Sequence, residues 1–234
     1  MTAILAIGGT DSSGGAGLSR DISMAAELGA AVRPVVTAVT VQTNATVLAV
    51  HPCPPGTAAD QLRAALATPP PPGAAKIGML GSAAVADAVA DALPPDLPFV
   101  LDPVLKATSG GHLMAAEGFG ALLQRAALLT PNLDELEVLS GRGGSLEAQA
   151  EALLAQGVQA VLVKGGHGSG AESTDLLFTA RGSATPFAAP RLAGSKRGTG
   201  CSLATAIACH LAQGCGLEEA CSRAKEAVHS WLRR

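Results

Sequence analysis

Short runs of apolar residues recur along this chain, separated by alanine-rich stretches with helical spacing, and that alternation leaves few architectures open. Strands are expected at Ile4–Ile7, Val32–Val41, Lys76–Met79, Phe99–Asp102, Leu128–Thr130 and Ala160–Lys164. Several are apolar without a break, as a strand covered on both faces should be. Helical patterns lie between them at Leu18–Leu28, Ala58–Leu66, Ala83–Leu93, Leu133–Leu139 and Leu146–Ala155. Such β-α alternation builds a mostly parallel sheet with helices on both sides. The expected fold is α/β, a three-layer α/β/α arrangement made by residues 1–234 as one domain. A chain of 234 residues is long enough to bury one such core.

Towards the end the pattern changes. Asp175–Phe178 and Ala184–Ala188 read as a late strand pair, an antiparallel edge to the sheet. Two helices follow, one marked by Leu203, Ile207 and Leu211, the other by Leu217, Cys221, Ala224, Val228 and Trp231. Thr68–Gly73 holds four consecutive prolines and can form neither helix nor central strand; it is expected to be a stiff surface connection.

Composition excludes several function classes. The formal net charge is −3, aromatics are 2% and tyrosine is absent, so neither a basic stripe nor stacking aromatics are available for nucleic acid. The apolar region around Ala30–Val50 is broken by Arg33, Pro34, Gln42 and Asn44, so no membrane span is expected. The five cysteines are odd in number and form no CxxC pair. That argues against a disulfide framework or zinc site, and for a reducing, cytoplasmic setting.

In open α/β sheets ligands bind beyond the carboxyl ends of the strands, so the segments there are where chemistry is expected. Neither GxxxxGK[ST] nor GxGxxG occurs. Arg197-Gly198-Thr199-Gly200-Cys201 precedes the first of the closing helices. Two glycines and a helix N-terminus there would form an anion hole, and Cys201 in the first turn should have a lowered thiol pKa. The plainer reading is a glycine turn followed by a small buried cysteine. Gly8–Gly17 follows the first strand and leads to Asp21, which could accept hydrogen bonds from a flat ligand. Alternatively Asp11 or Ser13 caps the helix and Asp21 is a solvated acid. Asn132 and Glu135, three residues apart, could hold Mg²⁺ or form a capping box. Lys164-Gly165-Gly166-His167 ends another strand, where Lys164 could steady phosphate charge, and Asp102 offers a carboxylate at the same rim. His167 alone reads more naturally as a loop histidine than as a catalyst.

Taken in order, GGTDSSGGAG (8–17), KIGML (76–80), DPV (102–104), TPNLDE (130–135), KGGH (164–167) and GTGC (198–201) resemble the hydroxymethylpyrimidine/phosphomethylpyrimidine kinases of the ribokinase-like superfamily. GTGC is the most specific, since most of the wider superfamily carries Asp where this chain has Cys201. The resemblance implies a ribokinase-like fold, ATP and Mg²⁺ as cofactors, a small pyrimidine alcohol as substrate, and a homodimer. It places Gly9, Asp21, Gln42, Met79 and Val104 around the pyrimidine, and Asn132 and Glu135 with magnesium. Lys164 and Gly166 would lie at the nucleotide, and Gly198, Thr199, Gly200 and Cys201 at the transferring phosphoryl group. It also implies that Cys201 lies beside the reacting hydroxyl and could accept its proton. The chain departs from the family's usual pattern at Thr43-Asn44, where Asn-Thr is common, and at Arg197, where His is common. It also lacks the glycine-rich C-terminal tail of many members. Two competing expectations are a pyridoxal- or pyridoxine-type vitamin kinase and a non-catalytic pyrimidine-binding sensor.

Overall fold

The computed structural model describes residues 2–106, 111, 113–166, 170–180, 182–194 and 196–234. Its strands are β1 (Ala3–Asp11), β2 (Ala31–Gln42), β3 (Val47–Pro52), β4 (Ala74–Ile77), β5 (Phe99–Leu101), β6 (Leu128–Leu129), β7 (Ala160–Val163), β8 (Glu172–Thr179) and β9 (Gly182–Pro190). The helices are α1 (Gly17–Glu27), α2 (Pro55–Ala67), α3 (Ala83–Ala92), α4 (Gly120–Leu123), α5 (Leu133–Ser140), α6 (Leu146–Ala155), α7 (Thr199–Ala212) and α8 (Leu217–Arg233). A 3-10 turn, Ala116–Phe119, leads into α4. The strands form one sheet in the order β3-β2-β1-β4-β5-β6-β7-β8-β9. The run from β2 to β7 is parallel, while β3 at one edge and β8 and β9 at the other are antiparallel.

Successive side chains of a strand point to opposite faces, and β1 serves both layers this way. Leu5 and Ile7 pack with Leu62 of α2, Val89 of α3 and Leu136 of α5. Ile4 packs on the other side with Met24 of α1, Ile207 of α7 and Val228 of α8. All three β1 residues are fully buried, worth about 1.5–3 kcal/mol each in removed apolar surface. The unbroken apolar runs therefore do mark strands covered on both faces. Among the described residues no helix is long and apolar enough to cross a membrane.

Some elements depart from expectation in ways that shape the site. β1 continues to Asp11, so Gly8 to Asp11 belong to the strand end rather than to the loop after it, and the pairing with β2 slips at Gly8/Gly9. A bulge of this kind re-aims the chain at a sheet rim. β4 starts and stops two residues early, which leaves Gly78 to Leu80 beyond the sheet. The helix expected from Ala58 starts at Pro55, with proline in its first turn. β3, the 3-10 turn and α4 have no counterpart among the elements expected from the sequence. Pro34 stands inside β2 on a side that β3 does not reach, and there Gln61 of α2 pairs with Val36 N–H and C=O at 3.0 Å each.

Because β1 connects to β2 on one side and the chain later returns as β4 on the other, the order reverses between β1 and β4. Crevices form at such switch points, beyond the strand C-termini.

Candidate active site

The crevice has a charged floor. Lys76 points from β4 towards α1 and α7, fully buried, and its Nζ lies 2.9 Å from Asp21 Oδ2. Thr205 of α7 donates to the other Asp21 oxygen at 2.8 Å. Burial opposes charge on Lys76, but Asp21, Cys201 and Asp102 outweigh it and hold the ammonium above the ordinary lysine range. Asp21 is thus neither a solvated acid nor an open ligand contact: it is 0% exposed with both oxygens engaged. With Lys76 and Thr205 holding its two oxygens, Asp21 stands beneath the crevice. Gly78 completes this floor, since a Cβ there would come within 2.7 Å of Lys76 Nζ.

Above it stands the turn that starts α7. Gly198 has φ +76°, and a Cβ at that position would lie 2.5 Å from Gly15 O, so glycine is required twice over. No side chain caps α7 and no acid occupies its first turn. By contrast, Ser82, Asn132 and Ser145 cap α3, α5 and α6. The first-turn N–H groups of a helix lack intrahelical partners, so α7 presents them with its positive dipole end. Charged groups crowd this turn: a Cβ on Gly200 would sit 3.3 Å from Lys164 Nζ, a tight approach, and 3.8 Å from both Asp102 oxygens.

Cys201 lies between two helix starts, its sulfur also meeting the Gly17 backbone N–H of α1. The lowered thiol pKa expected from helix position does not hold. Burial dominates and pushes the thiol up to about 11, with Lys76 pulling the other way and Asp21 and Asp102 reinforcing the rise. Desolvation of an anion outweighs the dipole because the group is enclosed next to carboxylates.

Lys164, at the end of β7, donates to Asp102 Oδ1 at 2.9 Å and lies 3.6 Å from Glu135 Oε2. Burial opposes its charge, and the two carboxylates together raise its pKa. Glu135 in turn is pushed up by burial, against Lys164. Asn132 and Glu135 form a capping box: Asn132 Oδ1 accepts Glu135 N–H and Glu135 Oε2 accepts Asn132 N–H, both at 2.8 Å. Beyond Lys164, a Cβ on Gly165 would collide with Thr174 O, while one on Gly166 would meet nothing within 4 Å. Arg191 fixes this loop by donating to the carbonyls of Gly165, Gly166, Gly170 and Glu172. His167 lies outside the described residues.

One wall is apolar. Met79 packs with Ala38, Leu113, Val50 and Val104. Gly9 lets it approach, because a Cβ there would be 2.8 Å from Met79 Sδ. Gln42 stands at the end of β2, where Ser12 Oγ both donates to its carbonyl and accepts its N–H, at 2.7 and 2.8 Å. Gly17 joins this wall to the turn that starts α7: a Cβ on it would strike Gly9 O, and its N–H reaches Cys201.

An apolar wall at Met79 and Val104 beside an uncapped helix start and a lysine suits transfer of a phosphoryl group to a small ring alcohol. The model of a family described as phosphomethylpyrimidine kinase matches residues 11–234. The chain belongs to the phosphomethylpyrimidine kinase family. It is accordingly a kinase, which removes the expectation of a non-catalytic sensor. A hydroxymethylpyrimidine/phosphomethylpyrimidine kinase of Rhizobium meliloti is 38% identical over 241 residues, covering 98% of this chain and 90% of that protein. Among solved structures, the phosphomethylpyrimidine kinase of Clostridium difficile superposes with TM-score 0.85 at 30% identity, over 99% of this chain and 100% of the other. The pyridoxal kinase of Staphylococcus aureus in complex with AMP-PCP and pyridoxal gives TM-score 0.85 at 30% identity, over 98% and 87%. The ribokinase-like fold is thereby established for this family member.

Sequence reasoning missed four site residues of this phosphomethylpyrimidine kinase family member. Lys76 was embedded in KIGML without a role, although a lysine inside an apolar strand is itself a signal that a buried anion awaits it. Thr205 sat unremarked on an apolar helix. Arg191 and Ser12 act on distant backbone groups and carry no local sequence signature.

Proposed function

We propose that this chain transfers the γ-phosphoryl group of ATP, with Mg²⁺, to 4-amino-5-hydroxymethyl-2-methylpyrimidine, to its monophosphate, or to both in turn, as a step of thiamine biosynthesis. The observation that carries this reading is the convergence at Gly200 of the uncapped α7 start, the Lys164 ammonium and the Asp102 carboxylate. The names of relatives such as the Rhizobium meliloti kinase support the substrate.

The transfer forms a bond from the hydroxymethyl oxygen, or a phosphate oxygen in the second step, to the γ-phosphorus and breaks the bond to the bridging oxygen. Its transition state is loose, so positioning and charge neutralisation matter more than a strong base. The Thr199, Gly200 and Cys201 amides would hold the oxygens of the moving group, with Lys164 beside them. Met79 and Val104 would pack on the ring, Gly9 would leave room for Met79, and Gln42 would orient the ring's polar edge. Asp21 acts from below by fixing Lys76. Cys201 holds its own proton at neutral pH, so it is a weak S–H donor at the reacting oxygen rather than a base. The hydroxyl proton leaves late, towards Asp102, the carboxylate nearest Gly200.

The residues present fit both cofactors. Anionic phosphates suit the α7 start, where no side chain caps the helix and the Lys164 ammonium stands over Gly200. Among the described residues no group of three His, Cys, Asp or Glu could cage a metal. A carboxylate oxygen on Glu135 nevertheless suits Mg²⁺, which is usually held largely by water and phosphate. Asn132, turned inward by the capping box, would steady Glu135 rather than bind the ion. The ion would supply charge neutralisation on the phosphates.

Pyridoxal remains a second reading because the Staphylococcus aureus pyridoxal kinase matches so much of the chain. The deciding experiment offers the pyrimidine alcohol, its monophosphate and pyridoxal in parallel with ATP and Mg²⁺, and separates mono- from diphosphate products. Diphosphate from the pyrimidine monophosphate supports the proposal. Product from pyridoxal alone transfers the mechanism to the other ring, and no product from any of the three overturns the reading.

A further inference from the structure

Arg197 directly precedes the turn that starts α7, and Thr43-Asn44 directly follows Gln42. Asn44 and Arg197 are 153 residues apart in the chain, yet they touch. Arg197 Nη1 donates to Asn44 Oδ1 at 3.2 Å and to Thr43 O at 3.4 Å. The same guanidinium pairs through Nη2 with Asp11 Oδ2 at 3.0 Å and donates through Nη1 to Ser13 Oγ.

Asp11 is itself the organiser of the glycine-rich loop. Its Oδ1 accepts Ser13 N–H and Ser13 Oγ–H at 2.9 and 2.7 Å, and its Oδ2 accepts Ala16 N–H at 2.9 Å. Ser12 in the same loop holds Gln42 by two hydrogen bonds. Gly15 is bare where Arg197 passes, since a Cβ there would lie 3.1 Å from Nη1. The next residue along the chain is Gly198, which opens the anion-binding turn and rests against Gly15 O. One half-buried guanidinium, 17% exposed, thus joins the loop after β1, the turn after Gln42 and the start of α7.

We infer that Arg197 is a positioning residue that sets where Gln42 and the glycine-rich loop stand relative to the anion-binding turn, and that Arg197, Asn44 and Thr43 act as one coupled set. This rests on the phosphorylation of a ring alcohol proposed above. The physical basis is reach. A guanidinium has a planar fork of donors that serves several acceptors at once. An imidazole at position 197 is shorter and offers two ring nitrogens, so it cannot hold Asp11 and the 43–44 turn together. A lysine keeps the charge for Asp11 but loses the fork.

The test compares Arg197→His, Arg197→Lys, Asn44→Ala and the double variant Arg197→His/Asn44→Ala with the unaltered chain. Two readouts are taken: steady-state kinetics on the pyrimidine alcohol, and backbone hydrogen exchange at residues 12–16 and 43–45. Losing charge-assisted hydrogen bonds at the pocket rim should raise KM for the ring substrate about tenfold in Arg197→His, with kcat changed about threefold or less. Arg197→Lys should recover part of that loss. The double variant should be no worse than Arg197→His alone, because both remove the same contact. Exchange should quicken in both segments of Arg197→His. Additive losses, an unchanged KM, or exchange as slow as in the unaltered chain would overturn the inference. If the unaltered chain phosphorylates no ring alcohol, the functional reading fails separately, and exchange alone decides whether Arg197 holds the two segments.

Discussion

Lys76 Nζ lies 2.9 Å from Asp21 Oδ2, and neither side chain is more than 1% exposed. Two opposite charges taken this far from water stabilise the fold little as a pair, but each depends on the other. Lys76→Met should therefore cost about 3–5 kcal/mol by leaving Asp21 uncompensated. Lys76→Met combined with Asp21→Asn should cost clearly less. Urea unfolding of both variants checks this; a pair variant as unstable as the single one would mean that the floor is held by shape and not by charge balance.

Cys201 stands above that pair with its thiol pushed up to about 11. On the proposed mechanism Cys201→Ala removes a thiol beside the reacting oxygen and leaves the wall of Met79 and Val104 intact. It should lower kcat about a hundredfold with KM changed much less. The protonation state gives a second check. If the thiol form is the working one, kcat is flat from pH 7 to 9, as the thiol stays protonated across that range. A rise of about tenfold per pH unit would show the thiolate to be the active form. An unchanged kcat in Cys201→Ala would remove the residue from the chemistry.

Alkali should destabilise the protein, and the sign follows from three thiols. Against an ordinary value of 9.0, burial lifts Cys201 to about 11 and Cys209 and Cys221 to about 12. A raised folded value means the native state keeps protons that the unfolded chain gives up. The associated stability is complete below pH 9 and lost as pH rises towards 11 and 12, at about 1.4 kcal/mol for each tenfold difference in proton affinity between the two states. Lys76 and Lys164, also held above the ordinary lysine value of 10.5, act in the same direction at higher pH. No tyrosine is present to obscure the reading. Urea midpoints measured from pH 8 to 11, with thiolate absorbance followed in parallel, should fall together as thiolate appears. Constant midpoints across that range would contradict the burial argument.

What could be read from the sequence was whatever repeats locally. The parallel strands and flanking helices follow from periodicity and packing on both faces, so β1, β4, β5, β6 and β7 were visible, as were both closing helices. β3 was not, because it alternates half-buried and exposed residues, including Leu48 and His51, and gains its identity by pairing with β2. The 3-10 turn and α4 are too short to show a period. At the site, glycine turns were legible because backbone demands leave glycines behind, as at Gly198. The surroundings of Asp21 were not legible for a different reason: its partners Lys76 and Thr205 are 55 and 184 residues away, and only the fold brings them to it. The thiol was misjudged likewise, since a helix start is visible in sequence and the carboxylates around it are not.

Gly200 separates the two roles that the α7 start could have. It lies in the helix, where alanine is favoured over glycine by up to about 1 kcal/mol, and its φ is not positive. A Cβ there would approach only the flexible end of Lys164, at 3.3 Å, so the fold should accept Gly200→Ala with a thermal midpoint unchanged or slightly raised. On the proposed mechanism, however, the added methyl would stand between the first-turn amides and Lys164, the place assigned to the phosphoryl group. Catalysis should then fall by at least about 10²-fold, the scale of losing one preorganised donor to a developing anion. Calorimetry and initial rates on the same sample read both effects. A stable, active Gly200→Ala would mean that the phosphoryl group passes elsewhere. A variant that loses stability and activity together would mean that Gly200 is needed for packing rather than for transfer.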